Sequence, residues 1–506
     1  MSRKHSRPRA RLPRGFVDTT DRLANQRREM IDTVVGVYRR HGFQTLETPV
    51  VEYLDALGKF LPDVDAPDAG VFALRDDDDQ WLALRYDLTA PLARYVAEHR
   101  NTLALPFRRY QIGPVFRREK PGPGRFRQFL QCDFDTVGSR SMGVEAEACS
   151  ILAEVLEAIG IPAGDYQIRI NDRRVLNGVL DGAGIGGDDP AATRALRSHV
   201  LRSVDKLDRV GRDGVRLLLG PGRMDDSGDF TPGVGLDPDQ IDHVLAFVSA
   251  GEPGDQASGD GPGTRSDVID RLAGLVGDQG SGTEGIEGLT TIDSLLTAMG
   301  IDSDRAVIDP TVVRGLDYYT GPVFEAALTF ETDADGERRS FGSVAGGGRY
   351  DDLVQRFTGQ ETPACGASVG IDRLLAALEA LGRTDATEVE GPVVVTVMDR
   401  DRLADYQAMV SDLHRHGIDA ELYLGAKKNL GDQLKYADRR NAPAAVIAGS
   451  DEFGAGTVVV KDLRYGKTVS REITDRAEWL DAADVQRTVP RSSLGRSVAE
   501  VVARAR

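Results

Sequence analysis

The sequence predicts an α+β fold: a first part with hairpin strands, a helix-patterned middle stretch and a smaller C-terminal α/β unit. Three observations carry this expectation. Phe116 to Asp135, FRREKPGPGRFRQFLQCDFD, reads as two extended segments around a turn at Pro121-Gly122-Pro123-Gly124. Residues 176–302 hold helical patterns at Ala191 to Val210 and Asp239 to Ser249, then a Gly-, Asp- and Ser-rich stretch at 251–288 whose first half reads as linker. Beyond Gly391, apolar strands alternate with amphipathic helices, which implies a mostly parallel sheet.

In chain order, residues 1–175 begin with a basic arm, MSRKHSRPRARLPRG. No apolar run follows it, so no secretory signal is expected, and it reads as a disordered arm that touches RNA. A long helix spans Leu23 to Gly42, and strands continue as far as Ile168 to Asn171. The motif blocks quoted below, by resemblance, place an insertion at 176–302 and return residues 303–385 to the first domain. Residues 391–506 hold strands at Val393 to Met398, Ala420 to Leu424, Ala444 to Ala448 and Thr457 to Lys461, with helices at Leu403 to His416 and Leu430 to Asn441. No GxGxxG follows a strand there, which argues against a dinucleotide site.

The hairpin carries two different faces. Side chains alternate across a strand, so Arg125, Arg127, Phe129, Gln131, Asp133 and Asp135 share one side, and Phe126, Gln128, Leu130, Cys132 and Phe134 the other. Arg117 and Glu119 share a face on the first segment. The polar row suits a ligand with an anionic end, a flat base and a small polar group. By pattern alone an ordinary hairpin with a solvated face is the better reading.

Composition bounds the rest. At 506 residues the chain has room for about three domains. Apolar content of 41% without a bilayer-length apolar run argues for a soluble protein. The three cysteines, Cys132, Cys149 and Cys365, lack CxxC spacing, so neither a zinc site nor a disulfide framework is expected, and a reducing cytoplasm fits. The net charge of −17 looks wrong for a nucleic-acid binder, yet Arg100, Arg108, Arg109, Arg117, Arg118, Lys120, Arg125 and Arg127 crowd one stretch. A second basic group holds Lys427, Lys428, Lys435, Arg439 and Arg440. Phosphate contacts need local positive surface rather than a positive molecule.

FRRE followed by a loop and Arg125-x-x-x-Phe129 resembles motif 2 of class II aminoacyl-tRNA synthetases. VVRGLDYYTGPVF at 312–324 and SVAGGGRYDDLV at 343–354 resemble the two blocks that mark histidyl-tRNA synthetases within class IIa. ACGASVGIDRLL at 364–375 resembles motif 3, LRYDLTAPLARY at 84–95 the segment that meets the substrate ammonium, and Tyr38 to Pro49 motif 1 at a dimer interface. LGDQLKYADRRNAPAAVIAGSDE resembles the class IIa anticodon-binding domain. The blocks stand in family order over roughly residues 10–475, the insertion excepted, whose pattern matches nothing in the family.

The resemblance implies a class II antiparallel-sheet catalytic domain with a helical insertion, and a C-terminal α/β anticodon-binding domain. It implies histidine–tRNA ligase activity: histidine and ATP give histidyl-adenylate, and the histidyl group passes to tRNA(His). Arg117 and Arg314 are then the catalytic pair at the α-phosphate and substrate carboxylate. ATP is bound by Arg117, Glu119, Arg125, Phe129 and Arg373, with Phe129 stacked on the base. Histidine is bound by Asp87, Leu88, Thr89 and Gln131 around the ammonium, and by Asp135, Tyr318 and Tyr319 around the ring. Gly346, Gly347 and Gly348 let backbone approach the ligand. Mg²⁺ arrives with ATP, so no protein metal site is expected. A cytoplasmic homodimer without membrane contact completes the expectation. The alternative is a non-catalytic paralogue such as the regulatory subunit of ATP phosphoribosyltransferase, which lacks the anticodon domain and has a degraded RGLDYY block.

Overall fold

Helix α1 (Asp21–Arg40) buries Met30, Val34, Val37 and Tyr38, an i, i+4, i+7, i+8 stripe that seats it on a sheet. The computed structural model describes residues 9–57, 70–121, 126–187, 189–224, 228–252, 264–276, 280–313, 319–334, 337–383, 390–464 and 485–503. They fall into two units, residues 1–384 and 385–506.

In the first unit the chain passes from α1 through β1 (Gln44–Thr45) to a small sheet of β2 (Val51–Tyr53), β3 (Ala73–Arg75) and β4 (Trp81–Leu84). Helix α2 (Thr89–His99) precedes the hairpin strands β5 (Phe107–Phe116) and β6 (Gln128–Val137). Then come α3 (Gly143–Ala158), β7 (Tyr166–Asp172) and α4 (Arg173–Gly182). The interrupting segment holds α5 (Pro190–Val204), α6 (Leu207–Leu219), the pair β8 (Gly222–Met224) and β9 (Phe230–Pro232), α7 (Pro238–Ser249), α8 (Arg265–Val276) and α9 (Ser281–Ala298). The unit closes with β10 (Ala306–Ile308), β11 (Pro322–Leu328), the pair β12 (Glu331–Ala334) and β13 (Glu337–Ser340), β14 (Ser343–Arg349), α10 (Asp352–Thr358), β15 (Ala364–Gly370) and α11 (Ile371–Ala380).

Eight strands form the main sheet in the order β1-β5-β6-β15-β14-β11-β7-β10. The six inner strands pair antiparallel, as the sequence predicts; the short edge strands β1 and β10 pair parallel to β5 and β7. One face is apolar: Cys132 and Phe134 on β6, Ala367 and Val369 on β15, Phe324 on β11 and Ile168 and Ile170 on β7 join a core with α1, α3, α9 and α11. All three cysteines are buried there as free thiols, and loss of solvation pushes their pKa values up. The opposite face is polar and opens to the candidate site.

Two expectations for the hairpin need correction. Gln128, placed with the core set, is exposed, and Phe126 lines a cleft instead of the core. Regular pairing of β6 begins only at Gln128, so strict alternation does not extend back to Phe126. The turn at 122–125 lies outside the described residues.

The glycine-rich stretch also differs from its composition. Its second half is helix, in α8 and the start of α9; residues 253–263 and 277–279 lie outside the described residues. Here the glycines allow contact between backbones. A Cβ on Gly178 of α4 would stand 2.7 Å from Gly282 Cα of α9, and one on Gly285 2.8 Å from Val175 N. Residues from α5 to α9 share the same core as the main sheet.

The second unit carries a five-stranded sheet: β16 (Val393–Val395), β17 (Ala420–Leu422), β18 (Ala444–Ile447), β19 (Thr457–Asp462) and β20 (Gln486–Pro490), in the order β17-β16-β18-β19-β20. Helices α12 (Leu403–Arg415) and α13 (Leu430–Arg439) are the crossovers of its parallel half. The sheet is mixed, not mostly parallel: β18–β19 and β19–β20 are antiparallel. Only the six-residue helix α14 (Ser450–Ala455) lies between β18 and β19, and a parallel return needs a crossover of about a dozen residues or more. A final helix, α15 (Leu494–Ala503), packs Leu494, Val498 and Val501 beside Tyr406 and Met409 of α12.

Candidate active site

Cross-strand register assembles the site. On the polar face Asp135 stands opposite Arg109 of β5 and Gly366 of β15, Asp133 opposite Gln111 and Ser368, and Gln131 opposite Gly113 and Gly370. Gly346 of β14 faces Ser368, and a Cβ there would meet nothing closer than 3.6 Å. A Cβ on Gly366 would fall 2.1 Å from Asp135 Oδ1. The absent side chains leave room above the acids.

Asp135 is buried and doubly held. Arg109 Nη2 lies 2.9 Å from its Oδ2, with both side chains almost wholly enclosed, and Tyr350 donates its hydroxyl to Oδ1. Burial raises the Asp135 pKa; the Arg109 charge and the Tyr350 bond oppose the rise. Arg109 also donates to Leu88 O at 2.9 Å, so it ties β5 to the segment ahead of α2. In that segment Asp87 Oδ1 accepts from Thr89 N at 3.2 Å and Ala90 N at 2.9 Å. Burial raises its pKa too, against those bonds and the Arg117 charge. Burial likewise raises the Tyr319 hydroxyl, with the neighbouring acids adding to it.

Beside these acids lies a cleft of about 420 Å³ whose lining includes Arg117, Glu119, Phe129, Gln131, Ser368 and Arg373. The Arg117 guanidinium sits over two rings, 4.5 Å from the centroid of Tyr86 and 5.1 Å from that of Phe129. Glu119 Oε1 receives the Tyr86 hydroxyl at 3.5 Å. Gln131 Nε2 donates to Ser368 Oγ at 2.8 Å, while its buried Oε1 has no hydrogen-bond partner. Arg373 Nη1 donates to Ser343 O at 2.5 Å. Its neighbour Asp372 binds Leu130 N at 3.2 Å and Arg27 Nη2 at 2.5 Å, which locks the start of α11 to β6 and α1.

The structure therefore gathers Arg117, Glu119, Phe129, Gln131 and Arg373 at one cleft, and Asp87, Leu88, Thr89, Asp135 and Tyr319 around the neighbouring buried acids. Arg125, Arg314 and Tyr318 lie outside the described residues. The approach to Arg314 is anchored: Asn171 Nδ2 donates to Pro310 O and Val312 O, both at 3.1 Å. Of the pair after the glycines, Arg349 turns to Glu145 of α3 at 2.6 Å, and only Tyr350 reaches the acids.

Sequence reasoning missed Arg109 and Ser368, and left Tyr350, beside the glycines, without a role. Arg109 was counted as part of a positive surface, but it is fully enclosed and paired. Arg108 is likewise tied to Glu147 at 2.7 Å, and Arg440 to Glu421 at 3.2 Å. The signal for Arg109 was present: the alternation applied to β6, run along β5, puts Arg109, Gln111 and Gly113 on one face.

Comparison with known proteins follows the same lines. A family model described as histidyl-tRNA synthetase matches residues 15–219 and 262–374, and one described as anticodon binding domain matches residues 392–482. The histidine–tRNA ligase of Cereibacter sphaeroides is 56% identical over 498 residues, 98% of each chain. That of Roseobacter denitrificans is 55% identical over 522 residues, 99% of this chain and 98% of its own. Among solved structures, histidyl-tRNA synthetase from Nostoc sp. PCC 7120 aligns with a TM-score of 0.70 at 28% identity, over 98% of this chain and all of that one. A Bacillus halodurans structure titled as an ATP phosphoribosyltransferase regulatory subunit/histidyl-tRNA synthetase aligns at 0.65 and 20% identity, over 86% of this chain and 98% of its own. With a family model over more than half its length and full-length relatives above 50% identity, this chain belongs to the histidyl-tRNA synthetase family.

Proposed function

We infer that the protein activates histidine with ATP and transfers it to tRNA(His). The observation that carries this reading is the cleft lined by Arg117, Glu119, Phe129 and Arg373, which adjoins the acidic row Gln131–Asp133–Asp135 on one face of a single sheet. A nucleotide and a small cationic amino acid laid along those neighbours meet at the α-phosphate. The regulatory-paralogue alternative is not favoured, since the full-length relatives with above 50% identity are ligases and the anticodon-binding model matches.

In this reading Asp87, Leu88, Thr89 and Gln131 hold the histidine ammonium, and Asp135, Tyr318 and Tyr319 hold the ring. Asp135 accepts the Tyr350 hydroxyl at Oδ1, while its Oδ2, ion-paired with Arg109, takes no hydrogen bond and can accept the ring N–H. Glu119 reads the adenine amino group, Phe129 stacks on the ring, and Arg125 and Arg373 take the polyphosphate. Arg117 and Arg314 grip the α-phosphate as the histidine carboxylate attacks it. The protein's part is to position both reactants and to stabilise the growing charge. Mg²⁺ comes with ATP and is held mainly by phosphate oxygens. Asp372, the acid beside Arg373, is already engaged by Arg27 and Leu130, which fits that division.

Residues 391–506 recognise the tRNA anticodon, and the protein works as a cytoplasmic homodimer. The resemblance of Tyr38 to Pro49 to motif 1 supports the dimer, and light scattering is expected to read twice the chain mass of 54.8 kDa. Among the described residues no helix is long and apolar enough to cross a membrane. ATP–pyrophosphate exchange with each of the twenty amino acids tests the central claim. Exchange with histidine alone, followed by charging of tRNA(His), is the expected result. Exchange with another amino acid, or with none, refutes it.

A further inference from the structure

Between Gln131 and Asp135 on β6 stands a third polar side chain to which nothing above gives a role. Asp133 is 2% exposed, shares the face of its two neighbours, and is bonded to Ser368, which lines the cleft. Its Oδ1 is buried and has no hydrogen-bond partner. The neighbouring Gln131 Oε1 is in the same condition. Two unfilled buried acceptors, one on a residue that lines the cleft and one bonded to a residue that does, suit a donor with several hydrogens, since an unmet buried acceptor is costly. A primary ammonium group supplies three.

We propose that Asp133 is a further ligand for the α-ammonium of the amino-acid substrate, accepting through Oδ1 next to Gln131. The proposal rests on the histidine reading of the pocket. The charges around Asp133 agree with it. Arg109 on β5 faces it but lies against Asp135. Arg85, also near, donates through Nε to Pro114 O and through Nη1 to Thr48 O, both at 2.9 Å. Asp135 on its own strand and Asp87 ahead of α2 add negative charge, and Tyr319 and Tyr38 present neutral hydroxyls. No cation among these ion-pairs with Asp133, and burial, with Arg109 opposing, pushes its pKa up to about 7. Burial thus favours the neutral carboxylic acid at Asp133 until a cation arrives.

The direction of the linkage follows. A bound ammonium favours the carboxylate, so the pKa of Asp133 falls on binding. Binding below about pH 7 then releases the proton, and affinity gains with rising pH until about 7 and levels off above it. The proton goes to solvent, and no other bond is made or broken.

The test is calorimetric titration of the full chain with L-histidine at pH 7, in two buffers of different ionisation enthalpy, for wild type and Asp133→Asn. Wild type is expected to release more protons than the variant, which removes the contribution of the ligand's own imidazole from the comparison. The variant is expected to bind histidine about 10- to 100-fold more weakly. Imidazolepropionate, which lacks the ammonium group, should show no such difference between the two proteins. Equal proton release by both overturns the proposal, even if affinity falls, because a scaffolding acid would not move the proton count. Should Asp133→Asn fail to fold, Ser368→Ala keeps the acid but removes its hydrogen-bond partner. Its proton release should then extend to higher pH, and an unshifted profile overturns the proposal. Failure of wild type to bind or activate histidine would instead overturn the reading of the pocket itself.

Discussion

Asp135→Ala is expected to lower folding stability by about 3 to 5 kcal/mol as well as to weaken histidine activation. The sequence alone places the effect mainly in the histidine KM and kcat/KM, because it offers Asp135 as an acceptor for the ring. The structure adds Arg109, fully enclosed and paired to that carboxylate. Removing the acid strands a buried guanidinium, and domains are stable by only about 5 to 15 kcal/mol in total. A urea midpoint at the wild-type value would show that Arg109 finds another partner. The two roles separate in the double variant Arg109→Met, Asp135→Leu. With both charges replaced by apolar side chains, stability should largely return while histidine-dependent exchange stays low.

Arg117→Ala is expected to slow adenylate formation by at least about 10²-fold, the scale of losing one preorganised charge-stabilising donor. Only contacts that strengthen toward the transition state raise kcat, and charge at the α-phosphate grows as the carboxylate attacks. Arg117 stands between Tyr86 and Phe129, whose faces orient the planar fork. Arg117→Lys should therefore rescue poorly, since a flexible point charge neither stacks nor forks. Transfer from preformed histidyl-adenylate to tRNA breaks no phosphoanhydride and should suffer far less. Single-turnover measurements of the two half-reactions decide it; equal slowing would mean that Arg117 supports the fold alone.

Much of this site was legible because strand alternation is a local rule. Gln131, Asp133 and Asp135 could be put on one face from spacing alone, and Cys132 and Phe134 on the other, as found. The α1 stripe and the crossovers α12 and α13 follow from helical periodicity in the same way. Facts that depend on register between distant strands were not legible. Arg109 meets Asp135 from 26 residues away, and Tyr350 reaches the same carboxylate from 215 residues away. Neither partner announces itself in a window of ten residues. The charge cluster misled for that reason: Arg109 counted as surface until the sheet enclosed it. The direction of β19 failed differently, because alternating strands and helices suggest parallel pairing unless the length of each connection is weighed.

The glycine contact between α4 and α9 limits where this chain can be cut. Gly178 and Gly282 bring the two helices closer than side chains would allow, and α9 lies against β7. A minimal ligase made by splicing residue 175 to residue 303 would strip cover from Ile168 and Ile170, side chains that have no exposure in the intact chain. The interrupting segment is thus an interruption in order of synthesis only. Shortening has to respect it as part of the floor under the active site, whereas residues 385–506 form a compact unit of their own.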